Sequence, residues 1–175
     1  MSMTEDQKQT YAAFLEASTD QTVIDALAAG NNNALVTWSN QEADPTFWVF
    51  MNSVSVDEVR RSLDWSEVLH GTTGLTELQQ FGFDALLHNG TYDPSEENNR
   101  EGLTKIFPVT MPNTRAAVLN DAVRHATNAE QVFAVEASGP AGGDGSAKAQ
   151  AAIAEFYSSV SLQDIRDVVA IINAE

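Results

Sequence analysis

Residues 93–137 read DPSEENNREGLTKIFPVTMPNTRAAVLNDAVRHATNAEQVFAVEA, and the way this stretch divides into helices decides the class of fold. Asp93 stands where an N-cap belongs, Pro94 occupies the first helical position, and Glu96 follows the cap by three residues. The pattern predicts a helix running through Leu103 and Ile106 until Phe107-Pro108 stops it. A second helical segment is expected from about Asn113 to Val135. Thr127 and Glu130 form a capping box inside it, so it reads as two short helices meeting at an angle.

The same punctuation recurs on either side. Thr4 and Gln7 predict a capped helix carrying Tyr11, Phe14 and Leu15, and Ser18 with Gln21 predicts another carrying Val23, Ile24 and Leu27. Gly30 sits where that helix would close, and Asn33 is placed to cap a short helix over Ala34–Trp38. Ser55 and Glu58 form a further box, with Val54 and Val59 at the two positions of a hydrophobic staple. Leu75, Leu78, Phe81, Ala85 and Leu86, widened by Phe83 and Leu87, predict a core-facing helix closed by Asn89-Gly90. Near the end, Ser161 caps, Asp164 stands in the first turn, Val160 and Ile165 can staple, and Ile165, Val168, Val169 and Ile172 face inward.

Two segments break the helical pattern. Asp44-Pro45 signals a turn, and Phe47, Trp48, Val49 and Phe50 make a run of strand length, read as a short strand or as an extended connector buried on both sides. Residues 139–146, GPAGGDGS, read as a flexible surface loop, and the alanine-rich run from Ala147 to Tyr157 favours helix. The expected architecture is mainly α: a compact multi-helix bundle of short helices with one extended aromatic segment and a Gly-rich loop, in a single domain over residues 1–175.

Composition narrows the classes of function. With 25 acidic against nine basic residues the formal net charge is −16, and the basic residues are scattered, so no basic stripe is available to neutralise phosphates. Solubility by self-repulsion, a saline habitat and a surface that lets DNA pass without sticking are three readings of this acidity. No apolar run approaches the roughly 18 residues of a membrane span, and MSMTEDQKQT lacks the apolar core of a secretory signal, so synthesis in the cytoplasm is expected. Cysteine is absent, which removes disulfides and thiolate metal sites.

Chemistry-bearing patterns are sparse. His70, His88 and His125 include no pair at metal-ligand spacing. Asp84 and His88 share a helix face at i, i+4 and read as a surface ion pair, while His125 reads as a cation near a helix C-terminus. The GPAGGDGSAK stretch lacks the Gly-Lys-Ser/Thr ending of a phosphate-binding loop, and no G-x-S-x-G elbow occurs. Asp93, Glu96 and Glu97 are explained by the positive end of a helix dipole. Trp38, Trp48 and Trp65 are candidates for core, oligomer interface or ligand pocket. No catalytic, cofactor-binding or metal-binding residue is assigned.

The ordered phrases DPTFWVFMNSVSVDEV, LDWSEV, DPSEENNREGLTKIF, TRAAVLNDAVRHATNAEQVFA and SLQDIRDVV, with the Gly/Ala/Ser loop before the last, resemble a group of small tailed-bacteriophage proteins encoded among virion structural genes. The resemblance spans residues 20–172, while GLTELQQFGFDALLHNG departs from it where the family has a Trp-containing helix. It implies a virion component without enzymatic activity, most similar to a head–tail adaptor: a ring in the neck that docks on the portal and extends the DNA channel. The implied partners are further copies in a cyclic homo-oligomer, portal and tail proteins, and passing DNA that is not specifically bound, with no membrane. In that reading Phe47, Trp48, Phe50 and Trp65 are candidate inter-subunit contacts. A tail or tail-tip component is the alternative within the virion, and a small ligand-binding or regulatory protein the alternative outside it.

Overall fold

The computed structural model describes residues 2–71, 74–137, 151–156 and 158–174. Ten helices and six short strands are found among them, a mainly α fold as expected. In order these are α1 (Glu5–Glu16), α2 (Gln21–Ala28), α3 (Asn32–Ser39), β1 (Trp48–Phe50), β2 (Val54–Ser55), α4 (Val56–Ser62), α5 (Trp65–Val68) and α6 (Glu77–Leu86). Then follow β3 (Thr91–Tyr92), α7 (Glu97–Ile106), α8 (Pro112–Asp121), β4 (Val123–His125), α9 (Asn128–Val132), β5 (Ala134–Val135), β6 (Ile153–Ala154) and α10 (Leu162–Ile172). The strands pair only two by two, β1 with β4, β2 with β3 and β5 with β6. The Gly-rich loop at 139–146 lies outside the described residues.

The chain divides into two compact units, each assembled from discontinuous segments. The first comprises Met1–Phe47, His125–Ala134 and Ala154–Glu175. Its core gathers Tyr11 and Leu15 of α1, Val23 of α2, Leu35 and Trp38 of α3, Ala129 and Phe133, and Ile165 and Val168 of α10. Two polar side chains pair inside it: the Tyr11 hydroxyl donates to Ser39 Oγ at 2.7 Å, which donates in turn to the Leu35 carbonyl. Burial pushes the Tyr11 phenol up to about 12. Trp38 Nε1 donates to Asp20 at 2.9 Å, and the indole stacks on Phe14.

Helix α1 begins on the Thr4/Gln7 box, and α10 on the Ser161/Asp164 box, with Val160 and Ile165 buried on either side of the cap. Two caps are displaced by two residues. Asp20 rather than Ser18 caps α2, and Asn31 rather than Asn33 caps α3. In each case a second good acceptor stands nearby, and the one whose oxygen reaches a free N–H of the first turn prevails. Gly30 closes α2 with φ of +61°, the left-handed conformation a C′ glycine supplies.

The second unit comprises Trp48–Arg124 and Val135–Ile153. Val54, Val59, Leu63, Leu103, Phe107, Met111 and Val118 form its larger core, and the Ser55/Glu58 box starts α4 as expected. The opening of α7 differs from the reading. Asp93 Oδ1 accepts from the backbone N–H and hydroxyl of Ser95, making an Asx turn around Pro94, and the helix starts at Glu97.

The helix expected through residues 113–135 also changes in its middle. It runs as α8 to Asp121, then Val123–His125 are extended, and α9 resumes on the Thr127/Glu130 box. The aromatic segment supplies the reason. Met51 N–H donates to the Ala122 carbonyl at 2.8 Å, and Ala126 N–H to the Phe47 carbonyl at 2.8 Å, so backbone groups that a helix would bond locally are taken by a strand. The other edge of β1 is taken by Ala152, whose N–H donates to Trp48 O and whose carbonyl accepts from Phe50 N–H, both at 2.9 Å. Residues 151–154 are therefore extended, and the helix expected over Ala147–Tyr157 is absent from its described part.

Thr127 Oγ1 accepts from Glu130 N–H at 3.2 Å while the Glu130 carboxylate accepts from Thr127 N–H at 3.0 Å. Replacing Thr127 by Ala is expected to cost about 1 kcal/mol in urea unfolding, with Thr127→Ser close to the parent, because only an oxygen at this position satisfies the first turn of α9.

Candidate functional site

The four aromatic residues singled out in the sequence take different places. Phe47 is half-buried, and so is Trp48, which packs against the small cluster of Phe50, Ala122, Val123 and Ala151. Phe50 has no exposed surface, and the Arg100 guanidinium lies over its ring, 4.3 Å from the centroid. Phe50 thus serves the interior of its own chain and is not a surface contact, because β1 is bonded along both edges and its side chain turns inward. Trp65 alone of the four is mainly solvent-facing, 52% exposed.

The placement of Trp65 follows from how α5 is held. Asp64 caps α5 by accepting from Ser66 N–H, and hydrogen bonds from Ser66 and Asn113 hold its carboxyl below the usual range. Glu67 accepts from the backbone N–H of Asn113 at 3.1 Å and of Thr114 at 2.8 Å, so its carboxylate closes the positive end of α8. With one side of α5 fixed by these bonds and Val68 buried, Trp65 and Leu69 are left facing out.

Helix α6 departs most from expectation. Leu75, Phe83, Leu86 and Leu87 turn toward the core, with Phe83 edge-on to Phe107 at 5.6 Å between centroids. Leu78 and Phe81, expected in the core, are 79% and 71% exposed. At ~100° per residue the seven apolar positions cover roughly two-thirds of the helix circumference, and α7 is the one helix it packs against closely. An apolar arc this broad is more than one neighbouring helix covers, and part of it is left in water.

The uncovered arc forms one wall of a groove between α6 and α7, about 440 Å³ in volume, lined by Leu78, Phe81, Gly82, Leu86, Gly102 and Ile106. The Thr76/Gln79 box starts α6, and Gln79 Nε2 donates to the Lys105 carbonyl at 3.3 Å, which ties the start of α6 to the end of α7. A Cβ at Gly82 would touch Ile106, while one at Gly102 would meet nothing within 4 Å. One charged side chain lines the groove, Lys105 of α7, paired with Glu101 at 3.7 Å.

A second recess of about 370 Å³ is polar, lined by Glu58, Arg61, Ser62, Asn120 and Asp121. The Ser62 hydroxyl donates to Asp121, and no imidazole lines the recess to act as its base. Asn120 Oδ1 and the Tyr92 hydroxyl are buried without a hydrogen-bond partner, and burial together with the Asp121 charge raises the Tyr92 phenol.

His88 lies beyond the last turn of α6, so the helical spacing does not reach it, and no ion pair joins it to Asp84 among the described residues. His125 is in β4 rather than at a helix end, with Nδ1 3.0 Å from the Glu42 carboxylate. Among the described residues no group of three or more His, Asp or Glu side chains is arranged to hold a metal ion, and no helix is long and apolar enough to cross a membrane. Comparison of the chain with protein families, curated proteins and solved structures gives no match.

Proposed function

We propose that this chain is a structural protein of a tailed-bacteriophage virion, made in the host cytoplasm and assembled into the neck as a head–tail adaptor. Copies form a cyclic ring through heterologous contacts, dock on the portal and extend the DNA channel. The observation that carries the reading of an assembly protein is the exposure of Trp65, Leu69, Leu78 and Phe81 on a folded helical unit. Large apolar side chains left exposed on α5 and α6 are the material of protein interfaces. The neck assignment rests on the ordered sequence phrases. The acidic balance fits it, since carboxylates along a channel repel phosphates and prevent adhesive contacts during DNA passage. A tail-tube role is less well supported, because such tubes are built on sheets and the strands described here pair only in twos.

The test is assembly on a portal. Purified protein is expected to sediment with portal particles from the same phage, and Trp65→Ser with Leu69→Ser, both on exposed positions, to reduce that association at least about ten-fold. Protein that stays folded yet never joins portal particles would refute the adaptor reading.

A further inference from the structure

We infer that Asn89-Gly90 is a modification site: the turn joining α6 to β3 deamidates by attack from its own backbone and ages into aspartyl and isoaspartyl linkages. The inference does not depend on the neck assignment. Asn89 is the one asparagine of the sequence that glycine follows. It is exposed, and its side chain has no hydrogen-bond partner among the described residues. Gly90 is exposed as well, with φ of +82°, and a Cβ built on it would meet nothing within 4 Å. The attacking nitrogen therefore has no side chain of its own residue to screen it, and the backbone around it turns freely. Its N–H donates to the Leu87 carbonyl at 2.9 Å, a bond in an exposed turn that local opening releases, so the bond paces the reaction without preventing it. Elsewhere the combination is broken. The side-chain amides of Asn40, Asn99, Asn113 and Asn128 are held by hydrogen bonds. Exposed Asn52 is followed by Ser53, whose side chain crowds the nitrogen that would attack.

The reaction needs only hydroxide and water. Hydroxide takes the Gly90 amide proton, and the nitrogen adds to Asn89 Cγ. The new N–Cγ bond closes a cyclic imide as the Cγ–Nδ2 bond breaks, and the side-chain nitrogen leaves as ammonia with a proton from water. Water then adds to either imide carbonyl, and the C–N bond at that carbon breaks. Opening at Cγ gives aspartate, while opening at the main-chain carbonyl gives the isoaspartyl link, in which the chain runs through the former side chain and is longer by a carbon. Both products carry a new carboxylate. The turn is tightly used on both sides. Leu87 and Tyr92 are buried in one core, the Gly90 carbonyl accepts from Val56 N–H at 3.0 Å, and Thr91 and Tyr92 pair with Ser55 and Val54. A longer link moves Gly90 and β3 away from these partners, and a carboxylate just past α6 meets the negative end of the helix dipole.

The experiment incubates the full folded chain at body temperature and mildly alkaline pH, then maps its peptides by chromatography and mass spectrometry, which separate the asparagine, aspartate and isoaspartyl forms. Conversion at Asn89 is expected to run at least about ten-fold faster than at Asn52 in the same sample. It should slow as the pH is brought down to neutrality, since hydroxide starts the reaction. Asn89→Gln, a change at an exposed position whose longer side chain closes the ring far less readily, should show no conversion over the same period. The urea midpoint of the parent should fall as its isoaspartyl fraction grows, while that of Asn89→Gln, incubated beside it, stays where it began. A urea-denatured sample supplies the reference rate. Conversion at Asn89 in that sample with none in the folded chain would overturn the inference, because the turn would then keep the Gly90 nitrogen from attack. Conversion at Asn52 as fast as at Asn89 would overturn it as well, by removing the part given to Gly90.

Discussion

Replacing Arg100 by Ala is expected to lower stability by about 3–5 kcal/mol, the cost of truncating a large buried side chain and stranding the acceptors it serves. Arg100 is the largest fully buried side chain among the described residues. Its Nη1 donates to the Pro94 carbonyl at 2.6 Å and the Ser95 carbonyl at 2.8 Å, and its plane lies on the Phe50 ring. The side chain therefore joins the Asx turn before α7 to the aromatic strand β1. Truncation removes the filling volume and the donors together, leaving carbonyls unsatisfied in a site closed to water. Arg100→Lys should recover little, because an ammonium on a flexible stem neither stacks on Phe50 nor presents a planar fork. Guanidinium unfolding at pH 7 measures it. A midpoint within the error of the parent would mean that the site collapses or admits water.

Asp164→Asn is expected to cost about 2–3 kcal/mol at pH 7, with a pH dependence that identifies the cause. Asp164 is wholly buried, and burial opposes its charge. Four donors prevail nonetheless: Ser161 hydroxyl at 2.5 Å and N–H at 3.0 Å on one oxygen, Ser2 hydroxyl at 2.5 Å and Met3 N–H at 3.0 Å on the other. The carboxyl is held below its ordinary value. Because the folded-state pKa is the lower one, the stabilisation is complete above the unfolded value of about 3.9 and is lost as pH falls through the folded value. The gap between parent and variant should therefore be constant from about pH 5 to 7 and close below about pH 4. Other carboxylates held low, Asp20 and Asp167 among them, are present in both proteins and cancel in the difference. A gap unchanged down to pH 2 would show that the variant loses packing rather than charge.

Local chemistry made much of this fold readable. Thr4, Ser55, Thr127 and Ser161 each start a helix through a box that lies within four residues, so sequence alone contains both partners. Features set by distant partners were not readable in that way. Val123–His125 and Ala152 lie in stretches whose composition favours helix, and they become extended because β1 takes their backbone groups. The aromatic candidates were settled by distant partners too: the outward turn of Trp65 depends on Glu67 bonding to Asn113 and Thr114, and the burial of Phe50 on Arg100, fifty residues away in sequence. Leu78 and Phe81 looked like core because helical spacing reports that an arc is apolar and says nothing about whether a neighbour covers it.

The neck assignment is tested most directly by antibody–gold labelling of intact and tail-stripped phage particles carrying this chain, read by electron microscopy. Gold confined to the portal vertex once tails are removed is the predicted result. Label along the tail, or none on intact and denatured particles alike, would contradict it.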